Sequence, residues 1–402
     1  MNPRALLVLV TSVPTLLSQT NATPLLPENL PYQETSIQHV IPYRDGVLVE
    51  SADSPADRVR YARFEAKETE TVAVEGVELL FDAEQSADGV LFLGLQDNKM
   101  VLVRETADRK RSTLDVPEAF HPRFLEDLEP SVRPHLIPTT HEVAAIAGDV
   151  LWWKDKEWRN RKLPKVPQFY HEFQPADFGQ VHFLEGTTLY AGWNHGEWGG
   201  MLASLDLSAD GAQWVHLSGK PTGDAGIPKN EPVQAILSPS PGHLWVATGL
   251  AHLGGSWCGL HHRDPSGKWV TLIDADPEKD RSKLKFPVPS SIEGLASDHD
   301  GRIYILAGAA GVFRPGEAGL ERLFAHDFFS HASNRGDYLA VSYPSDLAIA
   351  RNGDLFVSTN SFGVLAFRKK DGKWSARQIT LNKPNCNRLK DISFPPKRER
   401  TD

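Results

Sequence analysis

Cysteine is nearly absent from this chain: Cys258 and Cys386 are the two in 402 residues. So few exclude a disulfide-dense scaffold and a four-cysteine zinc site. A bridge between them would span 128 residues and restrict the unfolded chain, but it needs Cα atoms within about 7 Å. Both are expected as free, buried thiols. Positive charge is also short, with 43 Lys and Arg against 52 Asp and Glu and a net charge of -9. That balance argues against nucleic-acid binding, which requires a positive field to displace counterions from phosphate. Beyond the first 22 residues no run is apolar for 18 residues, so the mature chain should hold no membrane-spanning helix. There is no G-x-S-x-G elbow and no P-loop. His141-Glu142 lacks the second histidine of a zincin helix. Helical periodicity is scarce, its best stretch being residues 117–132, where Phe120, Phe124, Leu125 and Leu128 share one helical face.

The N-terminus does carry an apolar run. A basic start ending at Arg4, an apolar stretch over residues 5–17 and the small-residue exit Thr20-Asn21-Ala22 have the layout of a secretory signal peptide. The division expected is a signal peptide at 1–22, a leader at 23–35, one globular region at 36–396 and a charged tail at 397–402. Export to a periplasmic or extracellular space follows, for a monomer.

An internal repeat dominates what remains. Val233-Gln234-Ala235-Ile236-Leu237 leads through a turn at Pro241-Gly242 to Leu244-Trp245-Val246-Ala247. Further copies are Ile292-Glu293-Gly294-Leu295, Asp300-Gly301, Ile303-Tyr304-Ile305 and Leu347-Ala348-Ile349, Asn352-Gly353, Leu355-Phe356-Val357. In each the second strand opens eight positions after its partner, a fixed spacing that a repeated hairpin demands because one inserted residue would reverse its faces. Weaker copies place landmarks at Gly46, Gly89, Gly148 and Thr188, making seven units separated by 43, 59, 40, 54, 59 and 52 residues. A four-stranded propeller blade takes about 40–50 residues. The expected fold is all-β, a single seven-bladed β-propeller, with residues 117–132 inserted between its second and third blades. Trp158, Trp214, Trp269 and Trp374 fall near the ends of units.

The fifth unit, ending Gly242-His243-Leu244-Trp245-Val246-Ala247-Thr248-Gly249, resembles the two-component-regulator propeller repeat, an I-x-x-I strand followed by G-x-L-W-V-G-T and a later G-G-L. Gly199-Gly200-Met201-Leu202 is similar to that last element. The resemblance covers about half the chain and implies a periplasmic ligand-sensing propeller, here without the attached kinase. Asp346-Leu347-Ala348-Ile349-Ala350 with Gly353-Asp354-Leu355-Phe356-Val357 is similar to streptogramin-lyase-like and gluconolactonase-like repeats. Glu293-Gly294 resembles the pair that places a metal-binding glutamate in the latter group, although the aspartate expected after Ile303-Tyr304-Ile305 is missing.

Loops joining second to third strands, and one blade to the next, share a face in such a fold. Two are read as long: residues 193–200 and 250–257. Each carries a histidine, a glycine pair and a tryptophan. Imidazoles bind metals or move protons near neutrality and indoles offer a stacking face, so His195, Glu197, Trp198, His252 and Trp257 are candidate ligand-binding residues. Turn-forming glycines and tryptophans that cap blades are the competing account. Gln234, Glu293 and Asp346, near the starts of innermost strands, are expected to line the central channel. Asp298-His299-Asp300-Gly301 reads as a hairpin turn rather than a calcium loop, and His261-His262 as exposed. The sequence thus predicts an exported propeller that binds a small molecule, a glycan or a protein segment on its loop-rich face. A hydrolase or lyase on the same groups is the alternative. No cofactor is expected; a divalent cation is what the carboxylates and imidazoles would accept.

Overall fold

The computed structural model describes residues 25–26, 30, 32–33, 37–51, 58–86, 88–123, 127, 133–165, 181–194, 199–217, 231–252, 255–275, 292–308, 310–316, 319–326, 328, 332–335, 338–341 and 344–382. Seven four-stranded antiparallel sheets succeed one another along the chain, and within each the strands pair in chain order. Their first strands, Ile37–Tyr43, Leu79–Ser86, His135–Leu136, Val181–Glu185, Val233–Ser240, Gly294–Ser297 and Pro344–Ile349, ring a central axis. This is the seven-bladed β-propeller that the repeat predicts.

Each blade is covered on both faces. Val47, Leu48 and Val49 are consecutive and fully buried. Leu48 packs toward Phe92 and Val90 of the second blade, while Val47 and Val49 pack toward Phe356 and Val364 of the seventh. Period-two alternation therefore feeds two neighbours, rather than one core and solvent. Among the described residues the hydrophobic core divides into seven clusters, one at each junction between adjacent blades. The junction of the last blade with the first has a cluster like the others, so cyclic stacking closes the ring.

A tryptophan repeats across these junctions. The indole N–H of Trp158 donates to Asp115 O (2.8 Å), that of Trp214 to Pro164 O (3.0 Å) and that of Trp374 to Leu323 O (2.9 Å). Each acceptor lies in or just after the outermost strand of the preceding blade. The unit-end tryptophans thus join the rims of neighbouring blades.

The third blade differs from its sequence reading. Gly148 lies between the strands Val143–Ala147 and Val150–Lys154, which are the second and third of that blade. The first is the short pair His135–Leu136, continued by Thr139, which bridges Leu184 of the next blade. With the hairpin connection placed near His141 instead, the uneven 59 and 40 residue intervals become 52 and 47. A two-residue paired strand is too short to produce an alternation signal. In the 117–132 insertion the structure has a 3-10 turn, Glu118–Phe120, and Phe120 is buried against Trp152 and Trp158; residues 124–126 and 128–132 lie outside the description. A small hairpin, Ala332–Arg335 with Tyr338–Val341, stands between the sixth and seventh blades.

Leu26 is buried in the cluster between the last two blades. Gln33 bridges Phe362 and exchanges hydrogen bonds with Leu381 (Nε2 to O, 2.6 Å; N to Oε1, 2.7 Å). The signal-like residues 1–22, the tail 397–402 and Cys386 lie outside the described residues; Cys258 is buried.

Candidate functional site

The innermost strands enclose a cavity of about 1510 Å³ along the axis, lined from all seven blades. Its wall is charged. On the first blade His39 projects from the inner strand and Glu50 from the second strand. The second blade contributes Asp82 and Glu84, two residues apart in the otherwise apolar run Leu79-Leu80-Phe81-Asp82-Ala83-Glu84, so both point the same way. Arg58, Arg133, His135, His182, Gln234 and Asp346 also line it.

His39 joins three blades. Its Nδ1 lies 2.7 Å from Asp346 Oδ2 on the seventh blade and its Nε2 lies 3.7 Å from Glu84 Oε2 on the second. The His39 side chain is 37 % exposed toward the channel. Burial opposes its charge, but Asp346, its hydrogen bond, Glu84 and Glu50 outweigh that cost and raise its pKa to about 10. Burial pushes Glu84 up to about 7 against the pull of His39. Glu50 rises to about 8 through burial and the neighbouring Asp82 charge. Asp82 also rises through burial, while the Leu136 N–H, donating to its Oδ2 at 2.6 Å, favours its anion. Arg58 and Arg133 reach the same Glu50 oxygen, at 3.7 and 4.0 Å. Burial and the adjacent Arg58 lower the Arg133 pKa to about 10. Burial, His182 and Arg133 hold His135 neutral, with a pKa of about 3.

The His39 shift fixes the sign of a pH dependence. A folded-state pKa above the unfolded 6.5 means stabilisation present below pH 6.5 and lost as pH rises through about 10. Between pH 8 and 9.5 folding stability should fall by up to ~1.4 kcal/mol per pH unit from this group, less the screening by channel water. Denaturation midpoints of the protein and of His39→Gln across that range test it; parallel curves would show that His39 is not protonated there.

Of the residues expected from sequence, Asp346 belongs to this network. Gln234 also lines the channel, donating from Nε2 to Gly249 O (2.6 Å) and accepting from Asn194 (3.0 Å). Glu293 stands apart from the cavity wall: its Oε2 accepts the Gly308 N–H at 2.6 Å, and burial raises its pKa to about 8. His195, Glu197 and Trp198 lie outside the described residues, as do the side chains of His252 and Trp257. The backbone at the latter two corrects the loop reading. Leu250 pairs with Trp257 and His252 with Gly255, so paired strands run through 250–252 and 255–257; residues 253–254 lie outside the described residues. His141 and Glu142 lie in the connection between the first and second strands of the third blade, tied to Asp155 and Gly186 O and to Lys154 and Arg104 respectively. His261, expected exposed, is buried beside Thr248 and Thr271, and His262 stacks on Trp245. Asp298 does make the expected turn, its Oδ1 accepting the N–H groups of Asp300 and Arg302.

Sequence reading missed His39, Glu50, Asp82, Glu84 and the two arginines. Asp82 and Glu84 were legible: two acids on one face of an apolar strand need a wet or ion-paired environment. Arg133 and His135 were not, because the irregular approach to the third blade hides which residues reach the axis. Among the described residues no group of three or more His, Cys, Asp or Glu side chains is arranged to hold a metal ion.

No family model and no curated protein matches the chain. Among solved structures it is similar to the extracellular domains of two hybrid two-component systems of B. thetaiotaomicron, at 13% and 12% identity. These likenesses cover 84% and 83% of this chain and 39% and 40% of theirs, with TM-scores of 0.41 and 0.39. A protein described as a gluconolactonase is similar at 14% identity over 74% of this chain and 81% of that one, with a TM-score of 0.29. The chain therefore spans less than half the length of these two extracellular domains, and the propeller assignment rests on its own sheet order.

Proposed function

We propose that the protein is an exported receptor-like propeller that binds a small polar molecule, or the end of a glycan, in its axial channel. The observation that carries this reading is the cavity of about 1510 Å³ with His39, Glu84, Asp82, Arg58, Arg133 and Asp346 on its wall. Small-molecule sites usually occupy about 300–1,000 Å³ with a few placed polar groups, so this channel accepts such a ligand together with water. Burying charges is costly unless they are paired or serve a ligand. A wall of both signs suits hydroxyl-rich or zwitterionic molecules that donate and accept hydrogen bonds. The signal-like start of the chain supports export.

Calorimetric titration with amino acids, sugar acids and short oligosaccharides tests this reading. At least one class should bind, and Glu84→Gln with Asp82→Asn should weaken it roughly tenfold or more, the worth of one or two charged hydrogen bonds. Equal affinity in the folded double variant would remove the channel as the binding site.

A further inference from the structure

Three arginines meet where hairpins of the last, first and second blades close one end of the axial cavity: Arg351, Arg44 and Arg109. Arg44 and Arg351 lie between the first and second strands of their blades, and Arg109 lies between a third strand and a fourth. Antiparallel order puts such connections at the same end of a blade. The three hairpins touch. Arg351 Nη1 donates to Ala107 O at 3.4 Å, Asn352 Nδ2 donates to Asp45 O at 3.3 Å, and Arg44 Nη2 donates to Glu105 Oε1 at 3.1 Å. The acids nearby are already engaged. Glu105, whose side chain is 3 % exposed, meets Tyr43, Arg44 and Arg111. Asp45 accepts the Tyr61 hydroxyl, and that bond, with Arg63 and Arg109 at longer range, holds its carboxyl below the usual range. Asp88 faces Ser86 and Arg104. Arg109 and Arg351 are exposed, and among the described residues neither has a carboxylate within 4 Å. Positive charge is therefore in local excess at this mouth, in a chain of net charge -9. Arg44 and Arg109 also hold φ at 55° and 68°, a left-handed backbone that suits glycine or asparagine. Arginine there opposes local stability, and such departures concentrate where a side chain serves a ligand.

We propose that this end of the channel binds the phosphate group of a phosphorylated small molecule. Each guanidinium is a planar fork of N–H donors that matches two oxygens of an oxyanion and stays charged at every physiological pH. The donors left after internal bonding exceed what a carboxylate accepts: Arg109 keeps its whole fork, and Arg351 spends one N–H on Ala107 O. Forks converging from three blades suit the three terminal oxygens and double charge of a phosphate monoester. The cavity behind the mouth has room for the rest of the molecule. Only that last placement rests on the channel being the ligand site; the arginines take no part in the contacts that hold His39, Glu84 and Asp346.

Calorimetric titration of the full chain at low salt with inorganic phosphate, glucose 6-phosphate and acetate is the test. Both phosphates should bind, the ester at least as tightly as inorganic phosphate, and acetate roughly tenfold more weakly or worse. Sodium chloride at about 0.5 M should weaken both phosphates, because exposed charges are screened. Arg109→Asn suits the left-handed turn and Arg351→Gln keeps most of the side-chain length. Each should weaken both phosphates roughly fivefold, and the two together more than tenfold. Phosphate should raise the thermal midpoint of the native protein and not that of the double variant. Circular dichroism establishes folding; if the double variant does not fold, the single variants and the acetate comparison still decide. Phosphate bound no better than acetate, or equally well by folded variants, would overturn the proposal. An ester bound more weakly than inorganic phosphate would overturn its assignment to a phosphorylated molecule. Failure here while amino acids, sugar acids or oligosaccharides still bind would leave the receptor reading standing, and phosphate binding without theirs would leave this site standing alone.

Discussion

Replacing Trp214 by alanine should destabilise the protein by about 3–5 kcal/mol, the range for truncating a buried aromatic side chain. Trp214 is 5% exposed, meets Trp193 edge-on at 5.6 Å and donates its indole N–H to Pro164 O in the preceding blade. The substitution removes apolar contact at the junction of the third and fourth blades and leaves a carbonyl without its donor. Trp214→Phe keeps much of the ring and should cost less than half as much, the hydrogen bond itself being worth about 1 kcal/mol. Urea denaturation of both variants measures the difference. A loss below 1 kcal/mol in the alanine variant would mean that the neighbouring side chains close over the gap and the rim contact is dispensable.

Asp346→Ala should be the next most damaging change, at about 2–4 kcal/mol. Breaking one side of a buried ion pair costs about 3–5 kcal/mol, and the exposure of the His39 side chain to channel water reduces that figure. Asp346 Oδ2 accepts the Val40 N–H at 3.0 Å as well as meeting His39, while its Oδ1 accepts the Leu347 N–H at 2.8 Å. The first two contacts cross the junction between the first and last blades, over 306 and 307 residues of chain. That junction has no covalent connection of its own. Asp346→Asn retains an oxygen acceptor for Val40 and should fall between the native protein and alanine. The ring should remain closed in both, because the apolar cluster, the Gln33 and Leu381 exchange and the Arg377 to Glu65 O bond (3.0 Å) also cross the junction. If the alanine variant unfolds with the native midpoint and an unaltered pH dependence, His39 and Asp346 are not coupled in solution.

The blade pattern was legible in the sequence wherever a hairpin was tight and its strands long. In the fifth, sixth and seventh units the eight-residue offset and the glycine turn locate the first two strands closely. Reading weakened at the third blade, where the inner strand is two residues of regular pairing and Gly148 offered a more prominent turn one strand later. The candidate site was legible at Asp346 and Gln234, which stand at the starts of recognisable inner strands. It was hidden at Glu50, whose place on a second strand gives no hint that it reaches the axis. Histidines and tryptophans drew attention to residues 193–200 and 250–257 by their chemistry alone, whereas the charged wall is assembled from strands that sequence inspection treats as ordinary core.

Alternation of apolar residues, repeated turns and the number of units are local properties, and from them the sequence by itself determined an all-β ring of seven blades. Which charges meet in the channel depended on the tertiary structure. Glu84 and Asp346, on the second and last blades, both lie within 4 Å of His39 on the first, and the Asp346 contact forms only because the ring closes. The physical reason is that a blade's fold is set by its own hydrogen-bonded register, while the protonation and pairing of a channel residue are set by side chains from neighbouring blades. Those neighbours are distant in sequence and adjacent around the axis.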